Sequence, residues 1–250
     1  MDVRTQARLH AVQTKGATLV LTTVPTKQSL QLDNPEFRYK MRLHLGLPPV
    51  ARMPALHCPC NHPNGSYDQD PWHALSCHDE LSTSVTDAHD DLKFTVAKWA
   101  RTVGAKVTVE PRGLAQDRKH PDIKIRIAGR TILVDTTRRH PLAPSHVRAA
   151  AREPGVILKQ AEVQKHGTYD KMAQDNGADF VAFAVETTGA WGREALKLIK
   201  DIIAAGQKMK QVWQPHEHVY GIYRSVAVAI ARGNASIIKS NLARFNARAS

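Results

Sequence analysis

Lys119-His120-Pro121-Asp122-Ile123-Lys124-Ile125-Arg126-Ile127-Ala128-Gly129-Arg130-Thr131-Ile132-Leu133-Val134-Asp135-Thr136-Thr137 decides the fold class. From Asp122 to Ile127 apolar and polar residues alternate, as they do along a strand with two different faces. Thr131 to Asp135 is almost wholly apolar, and Ala128-Gly129-Arg130 reads as a tight turn. The pattern predicts a β-hairpin whose first strand opens at Asp122 and whose second closes at Asp135. In an antiparallel pair those two ends lie side by side, so two carboxylates distant in sequence can converge on one divalent cation. An Asp ending an apolar strand is costly to desolvate unless a cation compensates it. Magnesium held there could polarise a phosphoryl oxygen and activate water against a phosphodiester. The plainer reading makes Asp122 a turn residue after Pro121 and Asp135 the last strand residue before a Thr-Thr-Arg-Arg loop.

Outward from the hairpin, Val107 to Val109 reads as a preceding strand that ends at Glu110, a third acid on the same side or a carboxylate in solvent. Further upstream, His57-Cys58-Pro59-Cys60-Asn61-His62 and Trp72-His73-Ala74-Leu75-Ser76-Cys77-His78 hold all three cysteines of the chain. Cys58, Cys60, His73 and Cys77 offer three thiolates and one imidazole, a closed set suited to structural zinc. His73 and Cys77 are spaced to ligate from one helical face. The intervening Asn61 to Pro71 is rich in Gly, Pro and Asp, and a metal would staple a loop without its own core. His57, His62 and His78 remain alternative ligands; buried thiols, or a disulfide with one cysteine left over, are the competing explanations.

Pro121-Asp122, twelve intervening residues and Asp135 resemble the PD-(D/E)xK nuclease signature. The resemblance is specifically to the restriction-like endonuclease domain at the carboxyl end of non-LTR retrotransposon reverse transcriptases. That family places a basic residue before the Pro-Asp pair; here His120 and Lys119 stand there. The lysine expected two residues after the second acid is Thr137. The resemblance implies that a lysine of the following helix fills its role, with Lys165 the candidate and Tyr169 four residues on along one helical face. It also implies a Cys-Cys-His-Cys zinc knuckle just upstream, in the order found here. Leu43-His44-Leu45-Gly46-Leu47-Pro48, Glu186-Thr187-Thr188-Gly189-Ala190-Trp191-Gly192 and Arg232-Gly233-Asn234-Ala235 extend the similarity over most of the chain. No polymerase signature of paired aspartates after an aromatic residue occurs, so a reverse transcriptase region of the same polyprotein is expected as a partner.

Composition constrains these readings independently. The chain has 250 residues, 42% of them apolar, enough for one main domain and an attached smaller unit. Lys and Arg outnumber Asp and Glu by 35 to 23, a formal charge of +12 that favours polyanions, DNA first and RNA second. No stretch of about eighteen apolar residues is present, which argues against a membrane-spanning role. Cysteines grouped with histidines suit a reducing compartment, and the expected location is nuclear and soluble. Arg138, Arg139 and His140, beside the acids, are candidates for holding phosphate together with Lys119.

The expected fold is α/β, a PD-(D/E)xK restriction-endonuclease-like core with a mixed sheet flanked by helices. Its order would be a helix over 84–103, three strands, a helical region over 146–175, and a buried central strand Phe180 to Val185. The helical region would be broken at Glu153-Pro154-Gly155 and loosened at Gly167. Helices over 193–210 and 218–243 follow, the second laid on the sheet through Val226, Ile230, Ile237 and Ile238. In the helix over 84–103, Leu92, Val96, Trp99 and Val103 recur at helical spacing, Thr86 or Asp87 could cap, and Phe94 joins Trp99 in the core. Near the amino terminus, residues 2–15 are helix-compatible. Asn34 could cap a helix with Pro35 in its first turn and Phe37, Met41 and Leu45 on one face. Three segments result: a helical linker over 1–55, a zinc knuckle over 56–82 and the nuclease domain over 83–250. The function implied is magnesium-dependent endonucleolytic hydrolysis of target DNA, nicking for target-primed reverse transcription. The alternative is an inactive nucleic-acid-binding module that kept the fold.

Overall fold

The hairpin forms as the pattern predicts. Strand β2, Ile123–Ile127, pairs antiparallel with β3, Arg130–Arg139, from Ile123↔Val134 to Ile127↔Arg130. The turn is two residues long, with Ala128 at φ 47° and Gly129 at φ 78°. Two consecutive left-handed residues give a turn whose twist matches that of the strands. β1, Lys106–Val109, pairs antiparallel with β2, and β4, Asp179–Glu186, pairs parallel with β3, so the sheet runs β1-β2-β3-β4. These contacts come from a computed structural model that describes residues 1–53, 57–58, 60, 65–77, 83–114 and 120–249, with side chains as far as Arg244.

Two layers of helix cover this mixed sheet, and strand pleating assigns each side chain to a layer. Ile123, Ile125, Ile127, Ile132, Val134, Phe183 and Val185 pack against α4 (Thr83–Thr102) and α7 (Arg193–Lys208). Leu133, Phe180 and Ala182 face α6, Val156–Asp175, through Tyr169, Met172 and Ala173. Leu92, Val96, Trp99 and Val103 of the α4 segment are all buried, as their spacing predicts. Phe94 is not: it is 52% exposed, with Lys93 Nζ 5.0 Å from its ring centre. Its position falls about a quarter turn outside the buried stripe. Thr86 and Asp87 lie inside α4 rather than at its cap.

Other expectations change once chain pairing is known. β3 does not close at Asp135 but runs on to Arg139, because Thr136 to Arg139 find parallel partners Phe183 to Glu186 on β4. β4 is an edge strand, not a central one, and its open side is closed locally. Trp191 bridges back to Val185, Gly192 N donates to Ala184 O at 2.9 Å and Ala182 N donates to Glu194 Oε2 at 2.9 Å. These bonds satisfy an edge that would otherwise template aggregation. The break at Glu153-Pro154-Gly155 separates α5, Val147–Ala150, from α6, but α6 passes through Gly167 without interruption.

Of the flanking helices, α2 (Leu19–Thr22) and α3 (Asn34–Leu45) pack on the long α8, Pro215–Ala249, and α1 (Val3–Gln13) packs on α5. The α3 cap is Asp33, in a reciprocal capping box with Glu36, and not Asn34. Its buried residues are Lys40 and Leu43, whereas Phe37 and Leu45 are exposed. α8 packs chiefly on α4, α3 and α7; Val226 and Ile230 join the core on the sheet's inner face, as expected, whereas Ile237 and Ile238 do not. Close approach to α4 depends on Gly233, where a Cβ would lie 2.7 Å from Ala88 Cβ. Ile237 and Ile238 form a second cluster with Ala7, Leu43, Trp72, Leu75 and Ile157, so residues of all three expected segments share one core. Among the described residues no helix is long and apolar enough to cross a membrane.

Glu186 closes β4 and is 1% exposed. Burial raises its carboxyl from 4.5 to about 7, against the opposing bond from Thr188 Oγ1. The unfolded chain loses this proton first, so stability falls as pH rises between these two values and levels off above the higher one. Glu186→Gln should therefore leave stability near pH 4 almost unchanged and raise it near pH 8 by up to about 3 kcal/mol. Urea denaturation of both proteins at the two pH values measures this, and an equal gain at both would refute the assignment.

Candidate functional site

One step beyond Ile123↔Val134 the register sets Asp122 opposite Asp135, and one step beyond Val109↔Ile123 it sets Glu110 opposite Asp122. Glu110 N donates to Asp122 O at 2.7 Å, continuing the ladder. The three acids therefore form a row across three strands, but their side chains do not share one environment. Glu110 takes a left-handed backbone, φ 48°, which redirects its side chain. Its carboxylate lies 2.7 Å from Lys93 Nζ and 3.6 Å from Arg112. Glu110 thus holds Lys93, itself 3% exposed and also paired with Asp90, rather than completing a three-acid cluster.

Asp122 and Asp135 are both buried, and their surroundings drive them in opposite directions. Burial works to raise the Asp122 carboxyl, but His89 and the Thr136 hydroxyl and amide outweigh it and leave the group below its ordinary value. His89 Nε2 is 3.3 Å from Oδ1, while Thr136 N and Oγ1 donate to Oδ2 at 2.7 and 2.6 Å. Asp135 is raised, first by burial and then by the Asp122 charge, with Lys165 and Tyr169 opposing. Lys165 Nζ lies 2.7 Å from Asp135 Oδ2. The contact is ionic, and a buried carboxylate oxygen keeps lone-pair capacity, the donor chemistry a hard divalent cation uses.

Lys165 and Tyr169 both reach Asp135 from α6. The ammonium lies 5.9 Å from the Tyr169 ring centre, and the Tyr169 hydroxyl donates to His120 O at 3.2 Å. Thr137 is buried in β3 at the position where the family signature has lysine. Arg139 donates to Gln164 Oε1 at 2.5 Å, on the α6 side of the sheet. Arg138 points to the other layer, donating to Asn234 Oδ1 at 3.4 Å, and Asn234 Nδ2 donates to Thr187 O at 2.7 Å. The Thr187 and Asn234 segments, far apart in sequence, meet there beside β3. Lys119, His62 and His78 lie outside the described residues.

His89 was not anticipated. Its signal was available: it lies four residues before Lys93 on α4, so both project from the same flank of the buried stripe toward the sheet end. The pair is thus approached from both helical layers, by His89 from α4 and by Lys165 from α6.

The second cluster assembles as the residue types suggested. One ligand atom each from Cys58, Cys60, His73 and Cys77 lies within 4.8 Å of the others. Cys58 Sγ to Cys77 Sγ is 3.9 Å and Cys60 Sγ to His73 Nε2 is 3.4 Å. Tetrahedral zinc, with Zn–S about 2.3 Å and Zn–N about 2.0 Å, requires edges of about 3.8 and 3.5 Å. A disulfide requires about 2.05 Å, and all three thiols are free. These residues can hold a metal such as zinc.

Local structure positions the set. Cys58 N donates to Gly65 O at 2.8 Å, and His57 bridges Ser66. His73 opens a 3-10 turn, His73–Leu75, and Cys77 follows after it, so the two do not share an α-helical face. Contact with Cys77 holds the Cys58 thiol far below its ordinary range, against burial and with help from His73 and Asn241. Asn241 of α8 donates to Cys58 Sγ at 3.5 Å and accepts from the Tyr67 hydroxyl. Bonds of this kind orient metal ligands.

No protein-family model matches the chain, and no curated protein matches it.

The purified chain is expected to carry one equivalent of zinc. Because structural zinc contributes on the order of 10 kcal/mol to folding, chelation or Cys77→Ala should lower Tm by at least about 10 °C. Metal analysis with calorimetry measures both; an unchanged Tm after complete stripping would show that folding does not use the cluster.

Proposed function

We propose that the chain is a magnesium-dependent endodeoxyribonuclease of the PD-(D/E)xK type. The observation that carries this is the buried pair Asp122 and Asp135 on adjacent strands, pushed in opposite directions, with Lys165 2.7 Å from the second acid. The element order supports it: helix α4, three antiparallel strands, the short α5 with α6, and a parallel strand follow one another as the resemblance would require. A charge of +12 supports a polyanionic substrate.

In this reading Asp122 and Asp135 hold the cation, which suits magnesium's habit of binding through one or two carboxylates plus substrate oxygens. When bound, it supplies Lewis-acid stabilisation of charge developing on the phosphodiester oxygens. His89 and Thr136 fix the Asp122 carboxylate. Lys165 orients the attacking water beside Asp135 and offsets negative charge, while Tyr169 packs along its path and anchors on His120 O. Glu110 acts at one remove, by holding Lys93. Arg139, on the same face of β3 as Asp135, stands beside the pair for backbone phosphates, whereas Arg138 is taken up by Asn234 on the other face. The substrate is target DNA nicked for priming, and a reverse transcriptase region of the same polyprotein is the proposed partner.

Thr137, buried where a lysine is expected, favours a second reading: a binding module that retains the fold without cutting. Supercoiled plasmid with and without magnesium separates the two. The parent is expected to give nicked circles, and folded Asp122→Asn, Asp135→Asn and Lys165→Met variants to lose at least about 100-fold in rate. Undiminished magnesium-dependent cutting by an Asp122→Asn/Asp135→Asn variant would remove the acid pair from the mechanism. DNA affinity that falls with salt, with no product from the parent, would establish the binding module.

A further inference from the structure

Arg4 in α1 makes an ion pair with Asp70, its guanidinium 2.9 Å from Oδ1, and Trp72 N donates to the same oxygen at 3.2 Å. Asp70 is 1% exposed, and its other oxygen, Oδ2, is buried with no partner among the described residues. Three residues on, His73 is 4% exposed, and its N donates to Asp70 O at 3.0 Å. Its Nε2 faces the cysteines, 3.4 Å from Cys60 Sγ, while its Nδ1 is buried and likewise without a partner. The Arg4 guanidinium and the His73 ring both face the Asp70 carboxylate.

An imidazole that ligates a metal through Nε2 must carry its proton on Nδ1, and a buried N–H without an acceptor costs about 1–3 kcal/mol. A buried carboxylate oxygen without a donor is similarly costly. Here one orphaned donor and one orphaned acceptor belong to the same turn of chain. Metal-bound histidines habitually give their second nitrogen to a carboxylate, which fixes the tautomer and raises the basicity of the ligand.

We infer that Asp70 is the outer partner of His73 in the metal site, taking the Nδ1 proton directly or across one bridging water, and that Arg4 extends this chain to α1. The linkage reaches beyond the nuclease reading and rests only on the cysteine-histidine cluster. Metal bound by His73 orders the Asp70 carboxylate, and the carboxylate orders Arg4. Docking of α1 on the rest of the molecule, including its packing against α5 through Ala150 O and His10 Nδ1 at 3.0 Å, is thereby coupled to metal occupancy. Asp70 is a positioning residue, because it touches the ligand and not the metal.

The test uses the full chain loaded with one zinc. Competition against a chromophoric chelator should show zinc affinity about 10- to 100-fold weaker in Asp70→Asn and Asp70→Ala, with one equivalent still bound. Arg4→Gln should weaken it by a smaller factor. Long-range nitrogen–proton correlation spectra should place the His73 proton on Nδ1 in the loaded parent. Hydrogen exchange of the parent itself, which needs no variant to fold, should show faster exchange across Val3–Gln13 when zinc is stripped, and Arg4→Gln should show that faster exchange already when loaded. Equal zinc affinity in parent and Asp70 variants would overturn the inference, as would exchange in α1 that ignores metal. A parent that binds no zinc would remove the metal site itself, and this linkage with it, while leaving the plasmid assay of the acid pair unaffected.

Discussion

Two carboxylates buried beside each other at one end of a sheet set the terms for everything around them. Burial alone disfavours ionisation of either, and each charge disfavours the other. The chain answers with an asymmetric solution. Asp122 is kept charged by His89 and by two donors from Thr136, one of them a backbone amide that the strand itself presents. Asp135 has only the ammonium of Lys165 and the Tyr169 hydroxyl against burial and its neighbour. Breaking one partner of a buried pair typically costs several kcal/mol, and a buried pair is weak evidence of stability for its own sake. A fold that needed only a well-packed sheet end would place apolar residues at both positions. Titratable groups pushed apart by their environments are instead the arrangement found where proton and charge transfer are controlled.

The architecture follows from delivering side chains to that point from two layers. β2 and β3 supply the acids, α4 supplies His89, and α6 supplies Lys165. For α6 to reach the pair it must cross the sheet face and return as β4 parallel to β3, which makes the sheet mixed. β4 then becomes an edge, and the turn after it folds back to satisfy Ala182 and Ala184. Lys40 Nζ reaches into the same turn to Thr188 O and also holds Ala17 O, tying the amino-terminal helices to it. Burial lowers that lysine to about 8, so its two carbonyl partners are anchors obtained at some cost in desolvation.

What could be read from the chain alone divides along physical lines. Interactions local in sequence were legible: a tight turn after Ile127, the alternation of Ile123, Ile125 and Ile127, and the stripe Leu92, Val96, Trp99, Val103, although Arg130, read as part of the turn, opens β3. So was the metal-ligand set, because sulfur and imidazole clustered within about twenty residues have few other uses. Features decided by distant partners were not legible. Thr136-Thr137-Arg138-Arg139 reads as a polar loop until β4 supplies eight consecutive parallel pairings with β3. The edge position of β4 was hidden because an apolar run marks a buried strand, whether helices or neighbouring strands cover it. Glu110 could be placed in register with the other acids, but its positive φ and its capture by Lys93 are tertiary facts.

The metal cluster and the acid pair are joined through the helices they share. Asn241 of α8 touches Cys58, and seven residues earlier on the same helix Asn234 touches Arg138 and Thr187. Two helical turns span about 10 Å, so displacement of the cysteine loop bears on the strand that carries Asp135 through one rigid element. Gly233 fixes that helix against Ala88, one residue from His89. A side chain at Gly233 would push α8 from α4 and shift His89 relative to Asp122, although it touches neither acid. The rigidity of packed helices turns a local stapling of one loop into a constraint on the geometry at the sheet end. Among the described residues of the cysteine-histidine segment, Trp72, Ala74 and Leu75 share a core with Ile237 and Ile238 of α8, the helix that also holds α4 behind the acids.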